Sequence, residues 1–126
     1  MRILIVDDDA LVRGALVRQL RAAGFDVVGC AADAGTAVEQ AEKLRPDVVT
    51  MDVDLGRGAS GLEATRVIAA RLRTCVVVVT SQDVREAALE AGACGFVSKF
   101  DALERLVPGI VTAHRGCQDA HGHRVP

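Results

Sequence analysis

The sequence contains no Trp and no Tyr, and its aromatic content is three Phe. A platform that stacks nucleobases needs aromatic faces, so that class of surface is excluded. Charge of one sign is lacking too. Fifteen Lys and Arg stand against 17 Asp and Glu, a formal charge of −2, which leaves no basic footprint for a nucleic-acid backbone. Long apolar runs are absent. The longest aliphatic stretches are Ile3–Val6 and Cys75–Val79, far short of the ~20 residues a membrane helix needs. No basic-then-apolar export signal opens the chain, so a cytoplasmic location and no membrane partner are expected. Four Cys (Cys30, Cys75, Cys94, Cys117) are widely spaced, without the ligand spacing of a zinc site. They are expected to be reduced, buried thiols.

What is present is a globular core. The chain has 126 residues, 50% of them hydrophobic and 25% charged, enough for one domain. Ile3-Leu4-Ile5-Val6 is a short, solidly aliphatic run that reads as a strand buried on both faces. Leu11, Val12, Ala15, Leu16 and Leu20 then share a helical face, with Gly24 as the stop. Asp26–Ala31 is a second strand. Ala37, Val38, Ala41 and Leu44 mark a second helix, ended by Arg45-Pro46. Val48–Met51 is a third strand, followed by Asp52 and a loop holding Gly56, Gly58 and Gly61. Leu62, Thr65, Ile68, Ala69 and Leu72 give a third helix, and Thr74–Thr80, with four consecutive Val, a fourth strand. A short helix through Val84, Ala87, Ala88 and Ala91 stops at Gly92. Gly95–Ser98 is the fifth strand, and Leu103, Leu106, Val107, Ile110 and Val111 fit a last helix, with a kink expected at Pro108-Gly109. Five strand–helix repeats predict an α/β fold: a five-stranded parallel sheet, doubly wound, with helices on both faces.

Ligands of open α/β sheets bind at the carboxyl ends of the strands. Those ends carry Asp7, Asp8 and Asp9 after the first strand, Asp52 after the third, Thr80-Ser81 after the fourth and Lys99 after the fifth. Two carboxylates ~4 Å apart repel by about 4 kcal/mol at an effective dielectric near 20, so a counter-charge is required. A hard divalent cation suits oxygen ligands, with Mg²⁺ expected and Mn²⁺ as the alternative. An Asp carboxylate can attack a phosphoryl group, and the cation, an ammonium and a hydroxyl would hold its equatorial oxygens. The simpler role for Asp7–Asp9 is to cap the first helix.

The segments Ile3–Asp9, Met51-Asp52, Val79-Thr80-Ser81 and Ala91–Lys99 resemble the receiver domain of bacterial two-component response regulators, over about residues 2–114. The resemblance implies a flavodoxin-like sheet. It implies Asp52 as the residue phosphorylated by a sensor histidine kinase or phosphotransfer protein. Asp8 would ligate Mg²⁺ directly, Asp7 largely through water, together with Asp52 and the backbone carbonyl of Asp54. Thr80 and Lys99 would bind the phosphoryl oxygens, Thr80 and Phe96 would form the switch pair, and Asp54 and Gln82 would tune the lifetime of the phosphate. A homodimer and a C-terminal DNA-binding output domain outside this chain, acting in transcription regulation, are further implied partners. The sequence departs from the family at Leu55-Gly56, where Met-Pro is usual, in a loop that looks one residue longer. It departs again at Lys99-Phe100, where a cis Lys-Pro is common and a cis bond to Phe would cost ~2.5–4 kcal/mol. Phe96 stands where Tyr is commoner, and the segment from Thr80 to Lys99 looks one helical turn short.

Two other readings stay open. Asp52-Val53-Asp54 also matches the opening motif of haloacid dehalogenase-like phosphatases, although there it lies on the first strand. A receiver-like adaptor that works without phosphorylation is the second. His114, Cys117, His121 and His123 could suggest a metal near the end, but the segment 115–126 is polar and Gly-containing. It reads as a disordered tail or linker after a domain of residues 1–114.

Overall fold

The structure is a computed structural model that describes residues 1–56 and 58–122, the last four of these by backbone alone. Strands β1 (Arg2–Val6), β2 (Asp26–Ala31), β3 (Val48–Met51), β4 (Cys75–Thr80) and β5 (Gly95–Ser98) alternate with helices. The helices are α1 (Ala10–Ala22), α2 (Ala34–Leu44), α3 (Gly61–Leu72), α4 (Arg85–Glu90) and α5 (Ala102–Gly122), the last preceded by a 3₁₀ turn at Lys99–Asp101. All strand pairs are parallel, in the order β2-β1-β3-β4-β5.

The central strands are solidly apolar because each face has a helical cover. Leu4, Val6, Val49, Met51, Val76 and Val78 meet Ala37 and Ala41 of α2, Ala64 and Ile68 of α3 and Ala88 of α4. Ile3, Ile5, Val48, Val77, Val79 and Val97 alternate with them and meet Leu16 and Leu20 of α1 and Leu106 and Ile110 of α5. Helix starts are set by side-chain caps: Asp9 for α1, Asp33 for α2 and Ser60 for α3 each accept backbone N–H groups. The second helix ends where Arg45 turns left-handed ahead of Pro46, as the Arg45-Pro46 stop implies.

The structure corrects four expectations. Leu11 and Ala15 do not join the inner face of α1, because the spacing of four that points at the sheet is Val12, Leu16 and Leu20. Leu103 is likewise exposed, since the inward stripe of α5 begins at Leu106. Residues 115–122 are helical and not a disordered tail, because the last helix runs unbroken through Pro108 to Gly122. Its stripe Leu106, Ile110, Ala113 and Cys117 stays buried at helical spacing, which holds residues 115–117 on the domain instead of in a tail. Of the terminal His and Cys grouping, His114 and Cys117 line one cavity, while the side chain of His121 and the whole of His123 lie outside the described residues. Finally, the cysteines are not all reduced and buried. Cys94 and Cys117 form a disulfide, Cys30 is exposed, and only Cys75 is a free buried thiol. Two cysteines 23 residues apart gave no sequence sign of meeting, because the fold brings the loop before β5 against α5. Among the described residues all peptide bonds are trans, including Lys99-Phe100. No described helix is long and apolar enough to cross a membrane.

Candidate functional site

In this strand order the winding of the sheet reverses between β1 and β3, with successive strands added on opposite sides, and that switch point opens a crevice at their carboxyl ends. Asp7 extends β1, its N–H donating to the carbonyl of Ala31 (3.0 Å). Asp52 extends β3, its N–H donating to the carbonyl of Val6 (3.0 Å). The two carboxylates are therefore fixed by the ladder itself, and both residues are buried, at 1% and 4% exposure. Asp8 is exposed beside them. Oxygen atoms of Asp7, Asp8 and Asp52 lie within 4.8 Å of one another.

Lys99 reaches this cluster from the end of β5. Its Nζ donates to Asp52 Oδ2 at 2.9 Å and stands 2.8 Å from Asp7 Oδ2. Burial pulls the ammonium down, but hydrogen bonds to Asp7 and Asp52 and their charges outweigh that, and its pKa lies above the ordinary value. Burial pushes the Asp52 carboxyl up; the bond and charge of Lys99 pull it back, the charge of Asp7 adds to the rise, and the net direction is upward. Three carboxylates against one ammonium leave two negative charges, which matches one divalent cation. The donor set is all hard oxygen, so these residues fit Mg²⁺.

Capping and cation binding are divided among the three consecutive aspartates. Asp9 takes the cap, with Oδ1 accepting from Leu11 N–H at 2.9 Å and Val12 N–H at 3.3 Å. Asp7 Oδ1 accepts from Asp9 N–H at 2.9 Å and is held toward the cluster, while the Asp7 carbonyl accepts from the Arg13 guanidinium at 2.7 Å. Asp54 faces solvent and its Oδ1 accepts from Gly56 N–H at 3.2 Å, a local side-chain turn. Gly56 and Gly58 take positive φ angles of 75° and 97° in that loop. Val53 and Leu55 turn inward and anchor it.

Thr80 is buried, and its Oγ1 accepts from Gln82 N–H at 3.3 Å. It continues the alternation of Val76 and Val78, and Phe96 packs against that same cluster, so hydroxyl and ring share one face of the sheet. The ring is half-buried, with the Arg85 guanidinium 5.1 Å from its centroid. Helix α4 is six residues long, matching the short segment, and its N-cap position, Val84, offers no side-chain cap.

Gly61 is the site residue whose role the sequence did not disclose. A Cβ there would clash with the backbone oxygen of Asp52. The glycine lets α3 begin directly against the phosphoacceptor candidate, and its N–H donates to Val53 O at 2.9 Å. A glycine in a loop with two others gives no hint which one makes the close approach.

Comparison with known proteins agrees with this geometry. A family model described as the response regulator receiver domain matches residues 3–111. Among curated proteins, the transcriptional regulatory protein PdtaR of Mycobacterium tuberculosis is 39% identical over 115 residues, covering 89% of this chain and 56% of that protein. Response regulator GacA of Pseudomonas aeruginosa is 38% identical over 115 residues, covering 87% and 53%. The chain thus spans about half the length of these relatives. Among solved structures, a LuxR-family two-component response regulator from Aurantimonas has a TM-score of 0.85 at 34% identity, covering 99% of this chain and 98% of that one. The response regulator domain of Thermotoga maritima CheB has a TM-score of 0.80 at 31% identity, covering 94% and 96%. Neither the phosphatase nor the adaptor reading is favoured by these likenesses. The chain belongs to the response regulator receiver domain family.

Proposed function

We propose that this receiver domain accepts a phosphoryl group on Asp52 from a phosphohistidine donor, a sensor histidine kinase or phosphotransfer protein, and that the new charge alters its contacts. The observation that carries this reading is the meeting of Asp7, Asp8 and Asp52 with Lys99 at one mouth. Asp7, Asp8, Asp52 and the Asp54 carbonyl would hold Mg²⁺. The cation supplies positive charge against the oxygens of the entering phosphoryl group. An Asp52 oxygen attacks phosphorus, the P–N bond breaks, and the imidazole leaves with its electron pair. Lys99 is within reach of the Asp52 carboxylate and follows the phosphoryl oxygen formed there. The Thr80 hydroxyl donates to a second oxygen, and its movement vacates space on the face where Phe96 packs. That ring would turn inward, which loosens its contact with Arg85 and changes the surface between α4 and α5. Such a shift is a change of population between two states.

Exposed Leu11, Phe100 and Leu103, each more than four-fifths exposed, support donor docking beside the mouth. Gln19 of α1 ties that surface together by donating to the carbonyls of Ala102 and Leu103. Asp54 and Gln82 would set the phosphate lifetime, because each stands two residues beyond a reacting side chain. The chain would catalyse its own modification without a separate substrate, in the cytoplasm, and act through a homodimer or a DNA-binding output domain beyond this segment. Intact mass spectrometry after incubation with phosphoramidate and Mg²⁺ is the test. One added phosphoryl group in the wild type, absent in Asp52→Asn, is the expected result. Equal labelling of both proteins overturns the assignment. Asp54→Asn should change the decay rate of the adduct, and an unchanged rate removes Asp54 from the mechanism.

A further inference from the structure

At the amino edge of the sheet three sulfur atoms meet. Cys75 opens β4, Cys94 precedes β5, and Cys117 lies on the inner stripe of α5, with all three Sγ atoms within 4.8 Å of one another. Cys94 and Cys117 are bonded, at a Cα separation of 6.6 Å, inside the range a disulfide spans without backbone movement. Their exposures differ. Cys94 faces solvent, whereas Cys75 and Cys117 are buried. The backbone under Cys94 is fixed, because its N–H donates to Val76 O at 2.8 Å. The bond therefore ties α5 to a rigid point on the sheet.

We propose that Cys94 and Cys117 form a reversible thiol–disulfide site, opened by a dithiol and closed by a peroxide, that fastens the C-terminal half of α5 to the sheet. In opening, a thiolate of the external dithiol attacks exposed Cys94 Sγ. The Cys94–Cys117 bond breaks, and Cys117 leaves with the electron pair and takes up a proton. The second thiol of the reductant then displaces Cys94 as a thiolate, which also takes up a proton. The reductant departs as its own disulfide, having supplied two electrons and two protons. In closing, the Cys94 thiolate attacks a peroxide oxygen and becomes a sulfenic acid. Cys117 attacks that sulfur, so that two thiols and one hydrogen peroxide give one disulfide and two waters.

Cys75 is beside the bond but is the wrong partner. Burial pushes its thiol up to about 12, and Cys94 and Cys117 are already joined to each other, which leaves Cys75 as the free thiol of the three. A thiophilic metal ion is the competing occupant of the three sulfurs. It is disfavoured because two of them are already bonded. Among the described residues no fourth ligand atom lies within 4.8 Å of the three sulfurs, although His114 lines the same cavity as Cys75 and Cys117, so the group is one short of a closed tetrahedral zinc site. The proposal does not rest on phosphorylation, since the sulfur group lies at the opposite edge of the sheet from Asp52.

The test begins with the whole chain reduced by dithiothreitol, freed of reductant and exposed to stepwise hydrogen peroxide. Thiols are then alkylated in denaturant and counted by mass. The expected change is from four labelled cysteines to two, Cys30 and Cys75, with a Cys94–Cys117 peptide that disappears on renewed reduction. Cys75→Ala should leave this cycle intact, and Cys94→Ser or Cys117→Ala should abolish it. Amide exchange across residues 106–117 should rise several-fold on reduction of the wild type and be indifferent to reductant in Cys94→Ser. Four labelled cysteines after peroxide would overturn the proposal. So would a bond that resists dithiothreitol in the folded chain, or one equivalent of Zn²⁺ that binds the reduced chain and blocks the peroxide step. Phosphoryl uptake by Asp52, measured in the same samples, should not differ between redox states, so failure of that reading is scored separately.

Discussion

The sheet of this domain ends in carboxylates and begins in sulfur. At its carboxyl edge Asp7 and Asp52 are held by ladder hydrogen bonds, and Lys99 balances part of their charge. At its amino edge Cys75 and Cys94 stand beneath the last turns of α5 with Cys117. Both groups are drawn from three separate segments of the chain. The carboxyl edge stays open because loops and helix starts surround it, so charge can be solvated and ligands can enter. The amino edge is roofed by an apolar helical stripe, so only Cys94 meets solvent. The same sheet therefore supports an electrostatic site at one end and covalent sulfur chemistry at the other.

The largest expected effect is at the carboxyl edge. Lys99→Ala should slow phosphoryl transfer to Asp52 by ~100-fold, the usual cost of removing one preorganised charge at a reacting oxygen. Single-turnover labelling measures it, and a rate within twofold of wild type would remove Lys99 from the chemistry. Gly61→Ala should destabilise the fold by about 3 kcal/mol, because the new methyl meets the rigid backbone of Asp52 instead of a flexible side chain. Denaturant unfolding with and without Mg²⁺ reads both the fold and the site. At the amino edge, Cys94→Ser should lower the stability of the oxidised chain by about 2–3 kcal/mol and leave the reduced chain unchanged, as expected for loss of a cross-link of this span. Equal losses in both redox states would mean that packing at Cys94, not the bond, carries the effect.

The pH dependence separates the two edges further. The raised carboxyl of Asp52 means that the folded chain keeps its proton where the unfolded chain has already lost it. Asp52 therefore opposes folding as pH rises through its folded pKa, and a cation that needs the ionised form relieves this. The rise in Tm caused by Mg²⁺ should be complete at neutral pH and fade on acidification, as Asp52 takes up the proton that competes with the ion. A rise that persists unchanged on acidification would contradict a carboxylate role for Asp52 in holding the ion. The smallest effect concerns Thr50 in β3, whose buried hydroxyl has no hydrogen-bond partner. Thr50→Val should stabilise the domain by about 1 kcal/mol in thermal or denaturant unfolding.

Much of the carboxyl edge was legible in the sequence, and little of the amino edge. Strands β1, β3, β4 and β5 each stop at or just before a charged or hydroxyl residue, so periodicity locates Asp7, Asp52, Thr80 and Lys99 together with the sheet. The family resemblance assigned Asp7 and Asp8 to the cation, but the residues alone do not tell which of Asp7, Asp8 and Asp9 caps α1, because three identical side chains differ only in which backbone N–H they face. Leu11 and Leu103 fit the helical template yet face solvent, since a stripe of apolar residues does not say where the sheet ends. Cys117 was hidden for a complementary reason. Its neighbours Arg115, Gly116 and Gln118 are polar or small, so the stripe that buries it fades in composition while persisting in spacing. The disulfide depends on how the loop before β5 lies under α5, which no local pattern records.

Calorimetric titration of Mg²⁺ into the wild type, Asp8→Asn, Asp52→Asn and the double variant tests most directly that residues from β1 and β3 share one ion. One bound ion in the wild type is predicted, with affinity lowered tenfold or more by either single change, and a double change that costs less than the two combined (about 1.4 kcal/mol per factor of ten). Unchanged affinity in Asp8→Asn or in Asp52→Asn would contradict the account.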